Sequence, residues 1–443
     1  MSGNRLVDHC WEIARAGLRA VDPAGAVKRA VRLEGNELVV GGHHIALSGI
    51  KRIICVGAGK AGAPMAQAIE DILGERLEGG VVVVKDGHGG PTARVEILEA
   101  AHPVPDERGV AAARRIAELL ESADESTLVI CLISGGGSAL MVAPAEGITL
   151  EDKQATTKLL LACGADIREI NAIRKHLSRL KGGGLARLAA PARVVTLIIS
   201  DVVGDPLDAI ASGPTVGDTS TWAECAQIVE RYGLWEKLPP AVAERIRAGA
   251  EGRVAETPKP GDELFKGVIN LIVANNRMAL AAAMDKARKL GYAAAILSST
   301  IEGETRDVAR VHGAIAREAR MHSQPLAPPC CLLSGGETTV SLGEEFGTGG
   351  RNQEFALAAA FEIEGLEQVL VASLGTDGTD GPTDAAGAWA DGRTLERARA
   401  LGLDPAQALA RHDAYPFFKA IDGLMITGPT RTNVMDMRII LVG

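Results

Sequence analysis

Ile53-Ile-Cys-Val-Gly-Ala-Gly-Lys-Ala-Gly62 is the stretch from which the fold class is read. An apolar, β-branched run enters a G-x-G-x-x-G turn, and a helical pattern continues from Ala61 to Leu73. Strand, glycine turn and helix in that order open the doubly wound α/β sheets that hold dinucleotides. Glycine lets backbone N–H groups approach an anion with no Cβ in the way, and a helix N-terminus adds positive potential there. Lys60 stands inside the turn, where it crowds a pyrophosphate but suits a phosphoryl group in transfer. Asp86 closes the next strand, the place of a ribose-binding acid, so an NAD(P)-dependent reductase also fits the motif. A tight βα turn with a solvated lysine is the plain structural alternative.

The same alternation runs outward from this stretch. Strands are expected at 52–56, 81–84, 95–98, 128–133 and 194–199, with helices at 61–73, 107–120 and 151–162 between them. The second half repeats the theme, with strands at 269–274, 293–298, 331–333, 369–373 and 439–442. Its helices are expected at 277–290, 306–321 and 353–361. Alternating strands and helices predict parallel α/β sheets. Between the halves, Pro239-Pro240 and Thr257-Pro-Lys-Pro-Gly261 read as a linker, dividing the chain into 1–240 and 262–443. The expected architecture is a Rossmann-like doubly wound domain followed by a smaller α/β domain, with the active site in the interdomain cleft.

Composition fits a large enzyme of this kind. At 443 residues the chain exceeds what one core usually serves. Aromatics make up only 3%, so Ala, Val, Leu and Ile must build the cores, and 52 glycines fit many tight turns. A net charge of -9 argues against nucleic acid or an anionic membrane as the main partner. Seven cysteines form no C-x-x-C pair, which fits a reducing compartment. No apolar segment is long enough to span a bilayer, and acids near the start disfavour a transit peptide, so a cytoplasmic location is expected.

Four further glycine-rich turns follow strand-like runs. Ser134-Gly-Gly-Gly-Ser138 lies beyond the most apolar strand; Leu140 replaces the last glycine of a nucleophile elbow, so Ser134, Gly135, Gly136, Gly137 and Ser138 read as anion donors instead. Ser334-Gly-Gly-Glu337, Gly347-Thr-Gly-Gly-Arg351 and Gly375-Thr-Asp-Gly-Thr-Asp-Gly381 belong to the second half. Arg351 is placed at a helix start, where dipole and guanidinium reinforce one another. Asp377 and Asp380, with Asp201 at the end of another strand, are hard oxygen donors suited to Mg²⁺. Asp377 and Asp380, in Asp-Gly turns, fit a surface turn equally well. The run 171–184 gathers Arg174, Lys175, Arg179 and Lys181 before a triple glycine, and Lys181 is its best anion contact. His102, between two prolines and the preceding strand, is either presented to a ligand or satisfied in a turn.

These motifs, in this order, resemble the glycerate 2-kinase family, whose C-terminal portion is called the MOFRL domain. The carrying segments are VGAGKAG (56–62), HPVPD (102–106), SGGGSAL (134–140), NAIRKHLSRLKGGGLA (171–186) and ASGPT (211–215). SGGETTV (334–340), GGRNQE (349–354), GTDGTDGPTDAAG (375–387) and TGPTRTNVMD (427–436) complete the set. Val203 departs from a usual proline, and Arg431 and Met435 from a usual glycine and asparagine. The resemblance implies transfer of phosphate from ATP to the 2-hydroxyl of D-glycerate, with Mg²⁺. It also implies that Lys60 and Arg351 are active-site residues.

Motif and resemblance together nominate Lys60, Arg351 and Asp201 as catalytic residues. Gly57, Gly59, Gly62, the Ser134–Ser138 turn, Lys181, Gly335, Gly336, Glu337, Asn352, Gly375 and Thr376 are the expected nucleotide contacts. Asp201, Asp377 and Asp380 are the expected Mg²⁺ ligands. An NAD(P)-dependent hydroxypyruvate reductase and a non-catalytic sugar-phosphate or nucleotide sensor are the rival readings.

Overall fold

The computed structural model describes residues 5–443. A small antiparallel meander of β1 (Val31–Glu34), β2 (Glu37–Val40) and β3 (His43–Ala46) precedes the first large sheet. That sheet contains β4 (Arg52–Ala58), β5 (Gly79–Lys85), β6 (Val95–Ala100), β7 (Thr127–Ile133), β8 (Arg193–Ile199) and β9 (Val268–Ala274). Its order is β6-β5-β4-β7-β8-β9, and β4 runs parallel to both β5 and β7. Every residue of β7 is buried, as expected of a parallel strand covered on both faces. The chain builds outward through β5 and β6, then returns to the other side of β4 for β7 and β8. The reversal lies between β4 and β7, and doubly wound sheets bind ligands outside the carboxyl ends of such strands.

The helix Gly62–Leu73 follows β4, and Glu107–Glu121 precedes β7, its start capped by Asp106, which accepts from the Gly109 N–H at 3.1 Å. Between β7 and β9 the helices Leu150–Ala162, Ile167–His176, Trp222–Arg231 and Pro240–Ala250 pack around Leu160, Ile173, Trp222 and Ile246. Reciprocal capping boxes, Thr149 with Asp152 and Asp166 with Glu169, set the first two helix starts.

The second large sheet contains β10 (Ala293–Ile301), β11 (Cys330–Gly336), β12 (Val369–Gly375), β13 (Gly387–Asp391), β14 (Leu424–Met425) and β15 (Asp436–Val442). Its order is β10-β11-β15-β12-β13-β14. Only β10 and β11 pair in parallel; β15 is antiparallel to both of its neighbours, and β13 is antiparallel to β12 and β14. The alternation of elements predicted a second parallel sheet, and the structure shows a mixed one. The final strand inserts into the middle of the sheet, a placement that no local periodicity encodes.

The chain forms two compact units. One takes Pro23–Ser200 and Asp205–Val273; the other takes the chain up to Asp22, Asp201–Gly204 and Ala274–Gly443. They differ from the expected division at 240 and 262. Pro240 opens a helix of the first unit, residues 257–261 stay irregular within that unit, and β9, expected in the second half, closes an edge of the first sheet. The opening helix Arg5–Ala20 crosses the other way. Its stripe of Leu6, Cys10, Ile13 and Ala14 packs with Leu280, Ala283, Met437 and Leu441 of the second unit.

Candidate functional site

In the first unit, the turns after β4 and β7 interlock. The Lys60 N–H donates to the Gly135 carbonyl at 2.9 Å, and the Ser134 N–H donates to the Ala58 carbonyl at 3.1 Å. The Ala61 N–H donates to Ser134 Oγ at 3.0 Å. Gly59 holds φ +141°, and a Cβ there would lie 2.1 Å from Ser134 Oγ. Gly57 faces the Leu132 carbonyl, and Gly62 lets its helix close on Val82. The fingerprint glycines are therefore required by contacts within the unit. Their joint effect is to hold Lys60, half-buried, at the reversal between β4 and β7.

Further residues surround these turns. His88 Nδ1 lies 3.0 Å from the Lys60 carbonyl. His102 sits beside Gly136, whose Cβ, if present, would come within 3.0 Å of the ring. Burial first, and then Lys60, Lys85 and His88, push the His102 imidazole down to about 4, so the ring is neutral near pH 7. Ser138 and Ser212 share a hydrogen bond of 2.7 Å between their hydroxyls. Within the basic run, Lys175 is paired with Asp218 at 3.3 Å and Asp208 at 3.5 Å, and Arg179 with Glu121. Lys181 is 2% exposed and donates to the Ser138 carbonyl at 2.7 Å, which ties it to the β7 turn from inside.

In the second unit, register brings three of the motifs together. Gly336 at the end of β11 and Gly375 at the end of β12 both lie opposite Asp436, the first residue of β15. Arg351 opens the helix Arg351–Glu362 beside them. Its Nε and one terminal nitrogen donate to the two oxygens of Asp436 at 2.7 and 3.0 Å, and its other terminal nitrogen pairs with Glu337 at 2.9 Å. Burial acts to depress the Arg351 guanidinium, and Asp436, followed by Glu337 and Asp380, more than reverses this, so it is held above its ordinary value. Arg438 lies behind, 1% exposed, donating to Thr338 Oγ1 at 3.2 Å and Asp436 at 3.4 Å.

Several expected contacts have other jobs here. Asp380, expected to bind Mg²⁺, caps a helix instead. Its oxygens accept the N–H groups of Asn352 at 3.0 Å and Gln353 at 2.9 Å, and Gly350 has no Cβ to obstruct that approach. Burial, offset by those two N–H groups and aided by Asp436, raises its carboxyl to about 6. Asn352, expected to touch nucleotide, is buried. Its amide donates to Asp380 and Asp436, and its oxygen accepts from Ser373. Thr376 is also buried: its hydroxyl donates to the Met435 carbonyl at 2.6 Å and accepts the Val434 N–H at 2.8 Å. Gly335 makes room for Asn276, whose amide donates to the carbonyls of Val434 and Asp436.

Asp436, Arg438 and Asn276 were not expected as site residues. Arg438 did leave a signal, a single cation inside the otherwise apolar run Met437–Val442. Asp436 ends a quoted motif, but its partner lies far away in the chain.

Among the described residues no three His, Cys, Asp or Glu side chains gather as a metal site. Mg²⁺ needs no such cage, since it is commonly held through one or two carboxylates, water and substrate phosphates. Asp201 and Asp377 fit that use: both are partly exposed carboxylates of the second unit. Asp377 also accepts from the Thr379 N–H at 3.1 Å, which steadies its turn.

Comparison with known proteins finds relatives over nearly the whole chain. Residues 9–247 match a family described as a domain of unknown function, DUF4147, and residues 330–436 match the MOFRL family. The chain is 44% identical to a glycerate 2-kinase of Pyrococcus horikoshii, over 96% of this chain and 94% of that protein. It is 48% identical to a putative hydroxypyruvate reductase of Agrobacterium vitis, over 88% of this chain and 100% of that one. A crystal structure of a glycerate kinase from Thermotoga maritima superposes with a TM-score of 0.90 at 40% identity, covering 100% of both chains.

Proposed function

The chain belongs to the glycerate 2-kinase family, and from that premise we propose that it transfers the γ-phosphoryl group of ATP to the 2-hydroxyl of D-glycerate, yielding 2-phospho-D-glycerate and ADP. The observation that carries this reading is the position of Lys60, held by two interlocked glycine turns at the reversal of a doubly wound sheet. Phosphoryl transfer asks mainly for alignment and neutralisation of charge. An ammonium on a fixed turn supplies the second, while the N–H groups of Gly59, Lys60, Ala61 and Gly62 are engaged by bonds within the unit. In the second unit, Arg351 is a mounted guanidinium: Asp436 and Glu337 direct its planar fork, so its orientation is set before any ligand arrives. Asp201 and Asp377 are the residues that would hold Mg²⁺, which would neutralise charge on the nucleotide phosphates when bound.

The similarity to a putative hydroxypyruvate reductase makes that the second reading. Two features count against a dinucleotide in the first turn. Gly59 is closed over by Ser134, and Asp86, the acid expected at the ribose, is engaged on both oxygens by Arg108 at 2.7 and 2.8 Å. Incubation of purified protein with D-glycerate and Mg-ATP, followed by phosphorus NMR, tests the proposal. The expected outcome is ADP and a 2-phosphorylated product, formed only when glycerate is present. Oxidation of NADH by hydroxypyruvate at comparable turnover, with no ADP release, refutes it.

A further inference from the structure

More positive charge lies inside the first unit than the steps above use. Lys153, on the helix Leu150–Ala162, is 8% exposed and donates to the Leu177 carbonyl at 2.8 Å. Lys181 is more deeply buried and donates to the Ser138 carbonyl. Arg174, on the helix Ile167–His176, is partly exposed and makes no hydrogen bond or ion pair among the described residues. Arg245, on the helix Pro240–Ala250, reaches the Glu146 carbonyl at 3.2 Å and leaves its Nε buried without a partner.

Lys153 reaches the Leu177 carbonyl, and the next residue, Ser178, accepts the Lys181 N–H at 3.3 Å, so these cations gather at one turn. Burial chiefly, then Arg174 and Arg245, bring the Lys153 ammonium down to about 7. Burial, then Arg174 and Lys153, hold Lys181 well below its ordinary value. Among the described residues no carboxylate pairs with Lys153, Arg174 or Lys181, and Glu146 bears on Arg245. The neighbouring Lys175 shows the usual arrangement, with Asp218 and Asp208 against it. Burying unpaired charge is expensive, and a lysine can escape the cost by losing its proton. Arginine cannot. An unpartnered guanidinium beside two ammonium groups, each with donors to spare, is therefore the feature to be explained.

We infer that Lys153, Arg174 and Lys181 form a subsite for a small oxyanion, a carboxylate or a phosphate, on the inner side of the Ser134–Ser138 turn. Burial of the two lysines limits the size of the group that enters. The bond from Lys181 to the Ser138 carbonyl connects the subsite to the turn that interlocks with Lys60. On the kinase reading, on which this last step rests, the oxyanion is the carboxylate of D-glycerate.

Calorimetric titration and melting curves with D-glycerate alone, and with inorganic phosphate alone, test the subsite in the wild type, Arg174→Gln and Lys153→Met. D-glycerate is expected to bind and stabilise the wild type, with proton uptake near pH 7 as Lys153 regains its charge. Both variants should lose at least tenfold in that affinity, and KM for glycerate should rise while KM for ATP changes little. Phosphate binding that depends on Arg174, without glycerate binding, keeps the subsite and assigns it to a phosphoryl group instead. Lys153→Met guards against misfolding as an explanation: if the lysine is only structural, the variant folds as well or better and its anion binding is unchanged. Unaltered anion binding in both folded variants, or none in the wild type, overturns the inference. Arg174-dependent anion binding by a protein that makes no ADP leaves the subsite standing and removes the kinase reading.

Discussion

Among the described residues, Arg174, Lys153 and Lys181 in the first unit have carbonyl oxygens or no partner for company, whereas Arg351 and Arg438 in the second are set against Asp436. Both regions are built from glycine-rich turns at strand ends, yet they use charge differently. The first leaves positive charge uncompensated, the condition for attracting an anion. The second spends its acids internally, and what it gains is a guanidinium of fixed direction. A change in the first region should therefore harm binding or turnover while sparing the fold, and a change in the second should harm both.

The sharpest test of that contrast is Lys60→Ala. Removing a preorganised charge from a phosphoryl-transfer site costs roughly two to four orders of magnitude in turnover. Because Lys60 is only half-buried, the melting temperature should barely move. Near-normal turnover in steady-state assays would reduce Lys60 to a turn residue and erase the contrast.

Asp436→Asn should show the opposite signature. It strips the counter-charge from two arginines, one of them almost wholly buried, and breaking a buried pair on one side costs about 3–5 kcal/mol. Urea denaturation measures this directly. A stability loss below about 1 kcal/mol would place the pair with ordinary surface bridges.

Arg351→Lys keeps the charge but not the planar fork that Asp436 grips. A misdirected cation should lower turnover about a hundredfold, with a smaller change in KM for glycerate. If turnover survives, the mounting of Arg351 has no catalytic purpose.

The smallest effect concerns Asp380. Its folded-state value of about 6 stands above that of an ordinary carboxylate, so the folded protein favours the protonated acid. The stability this contributes is complete below the ordinary value and is lost as pH rises through about 6. Asp380→Asn should flatten that part of the stability profile, and losing one cap acceptor should cost about 1 kcal/mol. Denaturation midpoints between pH 4 and 7 that fall equally steeply in the variant would refute the assignment.

The candidate site was legible in the sequence to very different depths. Lys60 was readable because the strand, turn and helix around it form one continuous stretch. The basic run was visible too, but its letters gave no sign that Lys175 would meet Asp218 while Arg174 met no hydrogen-bond or ion-pair partner among the described residues. Asp380 looked like a hard metal ligand, since an Asp-Gly turn reads the same whether its carboxylate faces solvent or a helix N-terminus. Asn352 and Thr376 likewise have the donors a nucleotide needs, and burial directs those donors to their own chain.

What the sequence determined by itself is local: apolar runs that become strands, glycines where backbones must touch, helix starts with capping acids, and an ordered set of motifs specific enough to name a family. Only the tertiary structure decided that β9 joins the first sheet, that the opening helix packs with the second unit, and that β15 lies antiparallel between β11 and β12. The physical reason is the range of the forces involved. Propensity and turn chemistry act over a few residues, while strand order, burial and the pairing of charges depend on segments hundreds of residues apart. Asp436 became the mount for Arg351 only when β15 entered the sheet beside Gly336 and Gly375.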